Sequence, residues 1–261
     1  MAEKEGKYIY CIIATSQERD FGPIGIGARA DDVLTVGYND LSMVVSSHPM
    51  TQFVVNRDNM LAHERVIEEV MKEFDSVLPV RFGTIASNAD EIRNLLDRRH
   101  GEFKNALRDV DHKVELGVKG VWKNMEIIFQ EIVEENEEIK RVKEEIVTME
   151  ARRDFRVSVA TKMEAGKMVE KALEKKKEKE AQRFVDALRR TALAHKLNKT
   201  VGDEMFMSAA FLVDKGREKE FDNIMDDSSE EHKDRMKFMY VGPLPVFNFV
   251  DIVIYPREWE K

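Results

Sequence analysis

The feature that most restricts the fold of this 261-residue chain is a long segment, about 131–200, with almost no turn residues. Its first part carries apolar residues at three- and four-residue spacing: Ile132, Ile139, Val142, Ile146 and Met149. That spacing places one apolar seam along a helix for about three heptads. We therefore predict a helix from residue 131, a kink or connection at Arg156 to Ala160, and a second long helix from Met163 to Asn198. Two antiparallel helices forming a hairpin would bury such a seam.

A run of seven charged residues, Glu174 to Glu180, lies in the second of these helices. An apolar core cannot accept so many charges, so we predict that the run projects into solvent or meets a charged partner. Pairs of opposite charge four residues apart would stabilise it there. The glutamates interleaved in this run and the net charge of −8 argue against a nucleic-acid-binding surface.

The first 110 residues have the pattern of a compact α+β domain. Lys7 to Ala14 is rich in Ile and Tyr and predicts a buried strand, in which the single cysteine, Cys11, is a small core residue. Val33 to Tyr38 and Leu41 to Ser46 predict a hairpin. Its turn falls at Asn39-Asp40, because both residue types tolerate tight turns. The sequence predicts no helix between the first strand and this hairpin.

Helical periodicity begins after residue 57. We predict a helix from Asp58 to Phe74, followed by a short strand from Val77 to Phe82. A second helix is predicted to open at Ser87, with Asp90 completing an imperfect capping box. The apolar face of the first helix is predicted to be Met60, Ile67, Val70, Met71 and Phe74. The apolar face of the second is predicted to be Ile92, Leu95, Leu96, Phe103 and Leu107.

A second α+β domain is predicted over residues 111–261, with the long helices at about 131–200. It opens on an extended stretch from Val114 to Phe129. The elements predicted after the helices are a strand from Met205 to Val213, a short helix from Arg217 to Met225, a polar loop from Asp226 to Lys233, and strands from Met236 to Val241 and from Phe249 to Tyr255. Pro243 and Pro245 predict a stiff extended bridge between the last two strands.

The sequence contains no pattern that marks a catalytic or metal site. The histidines stand at none of the spacings of a metal motif and are interpreted as surface or helix-boundary residues: His48, His63, His100, His112, His195 and His232. The loop from Gly22 to Gly27 lacks the glycine spacing of a dinucleotide fingerprint and the Gly-Lys-Ser/Thr of a P-loop. We therefore predict no enzymatic activity, no cofactor and no metal.

Compartment and membrane signals are equally sparse. The lone cysteine permits no internal disulfide, which suits a reducing cytosol. The N-terminal residues lack the pattern of a secretion signal, and no stretch approaches the roughly 20 apolar residues of a membrane span. We expect a cytoplasmic protein without a membrane span.

Four segments, in the same order along the chain, resemble the gas vesicle accessory proteins F and L. The segments are Tyr8 to Ile13, Val77 to Thr84, Glu115 to Lys119 with Trp122, and Tyr240 to Pro245 with Phe247 and Phe249. The chain departs from the family pattern at Cys11, where glycine is frequent. It departs again at Val246 and Phe247, where the family commonly has a proline and a tyrosine. The residues do not distinguish an F-like from an L-like member.

The resemblance implies a modified ferredoxin-like N-terminal domain and an α+β C-terminal domain with helices. It also implies a minor, accessory component of the gas vesicle, cytoplasmic before assembly, that binds the hydrophobic shell protein GvpA and limits its aggregation. Other accessory gas vesicle proteins are further expected partners, and the family is neither an enzyme nor a cofactor carrier.

The residues expected to contact the partner come from the segments that carry the resemblance: Arg81, Phe82, Trp122, Pro243, Pro245, Phe247 and Phe249. Phe247 and Phe249 would be aromatic anchors, and the nearby prolines would leave adjacent strands accessible. Arg81 lies between apolar residues, so it either pairs with a carboxylate across the domain interface or faces a partner.

Two alternatives remain open at this point. In the first, the charged helical hairpin is a scaffold that recruits other accessory proteins. In the second, the chain is an undetected nucleotide-dependent enzyme, because folding can assemble a catalytic constellation from residues that are far apart in sequence.

Overall fold

The computed structural model describes residues 5–27, 29–50, 55–151 and 159–255. These residues form two compact units. The first comprises Met1–Glu115, Leu212–Gly216 and Gly242–Lys261, and the second comprises Leu116–Phe211 and Arg217–Val241. Each unit combines helices with a sheet, which confirms the predicted α+β class with two domains. This grouping differs from the predicted division at residue 110, because the later segments Leu212–Gly216 and Gly242–Lys261 belong to the first unit. Val246, Ile252 and Ile254 are buried in the core of the first unit.

The sheet of the first unit is antiparallel and, within the described residues, has five strands. They are β1 (Glu5–Ile13), β2 (Val33–Tyr38), β3 (Leu41–Pro49), β4 (Val77–Pro79) and β5 (Ile85–Ala86). The strand order is β2-β3-β1-β4, and β5 also pairs with β1. The hairpin of β2 and β3 is confirmed, with Asn39 at the turn in the left-handed region, φ 54°. The described residues between β1 and β2 contain no helix.

Three helices pack on this sheet: α1 (Arg57–Met71), α2 (Ala89–Arg98) and α3 (His100–Asp109). The predicted single helix after residue 87 is therefore interrupted at Arg99, although all five residues of its predicted apolar face are buried. Its cap is Asn88 rather than Ser87, because the Asn88 Oδ1 accepts hydrogen bonds from the backbone N–H groups of Asp90 and Glu91.

The core lies on both faces of this sheet. Ile9 and Ile12 of β1 face the cluster formed with α2 and α3, whereas Tyr8 and Tyr10 face the cluster formed with α1. The prediction for α1 was wrong at one position, since Met60 is 51% exposed. The buried face of α1 is instead His63, Val66, Ile67 and Val70.

The sheet of the second unit contains, among the described residues, the strands β6 (Lys113–Trp122), β7 (Ala192–Leu197), β8 (Met205–Asp214) and β9 (Met236–Leu244), in the order β7-β8-β6-β9. The helices are α4 (Met125–Glu135), α5 (Glu137–Ala151), α6 (Val159–Leu188) and α7 (Glu218–Glu231). Helices α4, α5 and α6 pack against one another, so the predicted helical hairpin is present as a three-helix arrangement. A connection was predicted from Arg156 to Ala160. Its positions 156–158 lie outside the described residues, and Val159 and Ala160 belong to α6.

Several predicted elements differ from the structure. The first helix ends at Met71 rather than Phe74, and the strand that begins at Val77 ends at Pro79 rather than Phe82. The extended stretch from Val114 ends at Trp122, because Asn124 caps α4. The second long helix ends at Leu188, and residues 192–197 form β7 instead. The polar loop at 226–233 is helical through Glu231. Residues 249–255 form no strand; Ile252 makes one isolated bridge to Val80. In these places tertiary packing outweighs local propensity.

The charged run was predicted to project into solvent or to meet a charged partner, and part of it is buried against opposite charges of the same chain. Within it, Lys176, Lys177 and Glu180 are less than 10% exposed. The Lys176 Nζ lies 3.0 Å from Glu131 and 2.7 Å from Glu135, both on α4. The buried members of the run follow helical spacing, so one side of α6 carries paired charges into the interior while the other side remains solvated.

Candidate functional site

An apolar groove with a volume of about 410 Å³ opens on the first unit. Its walls come from α1, from the residues that follow β4, and from the segment after β9. The lining residues are Met60, His63, Glu64, Pro79, Arg81, Phe82, Phe247, Val250, Asp251 and Ile252. Most of the lining is apolar, with charges confined to three side chains, which is the composition of a protein or ligand contact surface.

The floor of the groove is fixed by His63. The carbonyl oxygen of Val80 can only accept a hydrogen bond, so the Nε2–H of His63 donates to it at 3.1 Å. The Nδ1 atom then accepts from the Tyr8 hydroxyl at 2.9 Å. Burial lowers the pKa of His63 to about 4, which the hydrogen bond to Val80 offsets only in part. His63 is therefore a neutral structural residue at physiological pH, and its interpretation as a surface or helix-boundary residue was wrong.

Two phenylalanines stand against this histidine. The ring centroid of Phe82 lies 5.7 Å from that of His63, and the ring centroid of Phe247 lies 6.1 Å from it. Phe247 is 39% exposed, whereas Ile252, which lines the same groove, is buried. These distances are within the range of favourable aromatic contacts, so the rings pre-organise the groove while one of them stays accessible.

One ion pair lies at the rim. The Arg81 Nη2 is 3.1 Å from Asp251 Oδ1, and both side chains are largely exposed. Arg81 thus pairs with a carboxylate, but within the first unit rather than across the domain interface as expected, and it also lines the groove. Glu64, on the α1 side, has a raised pKa because it is partly desolvated and lies near Glu68.

The structure brings Arg81, Phe82 and Phe247 together, but it places the other predicted partner-binding residues elsewhere. Phe249 packs partly buried against the core of the first unit. Pro245 is buried, and Pro243 is exposed within β9. Trp122 is 3% exposed and donates from Nε1 to Glu180 in the second unit, so it does not line the groove.

Sequence reasoning missed Met60, His63 and Asp251 as members of the site. His63 precedes Ile67 by four residues, so it shares the buried helical face, and this spacing was the available signal. Asp251 had no such signal, because its position depends on the path of the chain after β9. Within the described residues, no group of His, Cys, Asp or Glu could hold a metal ion. No helix among them is long and apolar enough to cross a membrane.

Comparison with known proteins assigns the family. The chain matches the model of the gas vesicle synthesis protein GvpL/GvpF family over residues 6–251, and it belongs to that family. Gas vesicle protein F1 of Halobacterium salinarum is 26% identical over 252 residues, covering 96% of this chain and 95% of that protein. Gas vesicle protein F of Haloferax mediterranei is 25% identical over 230 residues, covering 87% and 85%.

The fold is that of solved relatives. The crystal structure of GvpF from Anabaena sp. matches with a TM-score of 0.79 at 20% identity, covering 96% of this chain and all of that one. GvpF from Microcystis aeruginosa matches with a TM-score of 0.74 at 21% identity, covering 94% and 98%. The family match over residues 6–251 makes the chain a gas vesicle-associated protein, which confirms the resemblance found in its four sequence segments.

Proposed function

We propose that this protein is an accessory component of gas vesicle assembly, which binds the hydrophobic shell protein GvpA and limits its aggregation during vesicle nucleation. It acts by binding rather than by catalysis, in the cytoplasm before assembly and then at the gas vesicle. The observation that carries the proposal is the apolar groove, in which Phe82 and Phe247 stand against His63.

The physics of a gas vesicle supports this role. A shell that excludes water needs subunits with a strongly apolar face, and such a face aggregates before it is assembled. A partner that covers this face needs an apolar recess with a few large anchors and a polar rim. Met60, Phe247 and Val250 supply the apolar surface, and Arg81 with Asp251 supplies a charged rim.

The proposal predicts that the groove retains GvpA in solution. Co-expression with this protein should increase the fraction of GvpA that stays in the supernatant after high-speed centrifugation, and the two proteins should co-purify. Phe247→Asp places a charge on the apolar wall and should abolish both effects. The measurement is the soluble GvpA fraction and the amount of GvpA bound per molecule of purified protein.

Phe129→Asp is the matched control. Phe129 lies on α4 in the second unit and is 36% exposed, close to the 39% of Phe247. It should therefore perturb folding to a similar small degree without touching the groove. Equal GvpA retention by the two variants, each with a native melting temperature, would contradict the assignment of the groove. Failure of the native protein to retain GvpA at all would contradict the function itself.

A further inference from the structure

β7 lies at one edge of the sheet in the second unit. The outer edge of β2 is covered by the chain's own segment 19–22: the backbone N–H of Phe21 donates to Val33, and that of Thr35 donates to Arg19. β4 has only three residues, and β9 contains Pro243, which lacks an N–H. Among the described edge strands, β7 is neither covered in this way nor interrupted by proline.

β7 carries little of the usual protection by charge. Its sequence is Ala-Leu-Ala-His-Lys-Leu, in which Lys196 is the only formal charge. Leu193 is 55% exposed and Leu197 is 54% exposed. The His195 ring stacks on Phe211 of β8 at 6.1 Å between centroids, which holds the middle of β7 in register with the sheet. An exposed edge with two exposed leucines and a single charge is a template for adding another strand.

The direction of the backbone groups follows from the residue after β7. The N–H of Asn198 donates to the carbonyl oxygen of Ser208 in β8 at 2.7 Å. Backbone N–H groups alternate in direction along a strand, so those of Leu193, His195 and Leu197 point away from β8. The same three residues carry the two leucine side chains and the imidazole of the strand, and all of them lie on one face of the sheet.

We propose that β7 pairs antiparallel with β7 of a second copy of this chain, about a two-fold axis at His195. In this register Leu193 lies opposite Leu197 of the second copy, and His195 lies opposite its equivalent. Ala194 lies opposite Lys196, so the single charge of the strand never faces itself. The N–H groups that point away from β8 are the ones that bond between the two copies, at the Leu193–Leu197 and His195–His195 pairs. Two exposed leucines of each copy cover those of the other and the lysines stay apart, which favours a second copy as the occupant.

Cysteine cross-linking of the full-length protein tests the register. In an antiparallel hydrogen-bonded pair the Cα atoms lie about 5.5 Å apart, which suits a disulfide. His195→Cys should form a covalent dimer under mild oxidation. Leu193→Cys and Leu197→Cys should each form little covalent dimer alone. The two variants should cross-link efficiently when they are mixed. Cys11 is completely buried and adds no background.

Two further measurements make the proposal falsifiable. Lys237→Cys, on the exposed part of β9, is the matched cross-linking control and should form no covalent dimer. Leu193→Lys should shift the native dimer to monomer in sedimentation experiments, whereas Leu34→Lys, on the covered edge of β2, should not. A native protein that stays monomeric up to about 0.1 mM would overturn the proposal. So would a His195→Cys variant that cross-links no better than Lys237→Cys, or a Leu193→Lys variant that loses GvpA binding but keeps the dimer.

Discussion

The Nε1–H of Trp122, on β6, donates a hydrogen bond to Glu180 of α6 at 2.7 Å, and both side chains are buried. The other oxygen of Glu180 accepts from Arg235 at 2.8 Å. Arg235 also holds Glu131, and hydrogen bonds from Arg235 and then from Lys176 lower the pKa of Glu131 to about 2. A network of ion pairs and one hydrogen bond from Trp122 therefore joins α4, α6 and β6 within the second unit.

Removal of Glu180 should destabilise the second unit. Glu180→Ala leaves the Trp122 N–H without its acceptor and takes one of two carboxylates from Arg235. The expected loss in the free energy of unfolding is about 2 kcal/mol. Glu178→Ala, two residues earlier and exposed, should change it by less than about 0.5 kcal/mol. Urea denaturation of both variants gives the comparison, and equal losses would contradict a structural role for the pair.

The charged run shows where sequence reasoning ends. Composition indicates that α6 is a helix with many charges, but Lys176 and Glu180 become buried only because their partners arrive from α4 and from the residue preceding β9. Those partners are 40 or more positions away, and no local pattern encodes the pairing. The α+β class and the β2–β3 hairpin depend on local periodicity and turn chemistry, and these were predicted correctly.

The sequence predicted some residues of the candidate site but not others. Arg81, Phe82 and Phe247 were identified from the segments that resemble the family, and the structure brings them to one groove. Trp122 came from the same kind of segment and proved to be a core residue. A motif shows that a residue belongs to the family pattern, but burial decides whether it is available to a partner, and burial depends on the whole fold.

Stability should decrease in mild acid because of His63. Its pKa is lowered to about 4 in the folded protein, against an ordinary value near 6.5, so between these pH values the unfolded chain binds one more proton. The stabilising contribution is complete above pH 6.5 and decreases as the pH falls toward 4, by about 3 kcal/mol in total.

His63→Gln isolates this effect. Glutamine keeps a donor for Val80 and an acceptor for Tyr8 but does not titrate. The free energy of unfolding, measured by urea denaturation at intervals between pH 7 and pH 4, should fall less steeply in the variant than in the native protein. Identical slopes would show that His63 does not carry the pH dependence.

The Arg81–Asp251 pair should matter for recognition more than for stability. Both side chains are exposed, 61% and 74%, so a double-mutant cycle should give a coupling of less than about 1 kcal/mol in the free energy of unfolding. If the groove binds GvpA, Arg81→Ala should instead change the association rate severalfold, because rim charges act mainly on the rate of encounter. Arg57→Ala is the control, because Arg57 is exposed at the start of α1. An equal effect of the two substitutions on the association rate would contradict a role for Arg81 at the rim of the binding site.

Gly120 should tolerate no side chain. A Cβ atom there would lie 2.4 Å from the Phe206 ring, which is buried against Trp122 with 5.3 Å between centroids. Gly120→Ala should therefore cost about 1–3 kcal/mol through overpacking. Gly101→Ala is the matched control, because it lies in α3 with nothing within 4 Å of its Cβ and should stabilise by up to about 1 kcal/mol. The entropy lost by the unfolded chain is the same in both variants, so the difference between their melting temperatures measures the contact with Phe206. A Gly120→Ala variant as stable as Gly101→Ala would contradict this packing of β6 against β8.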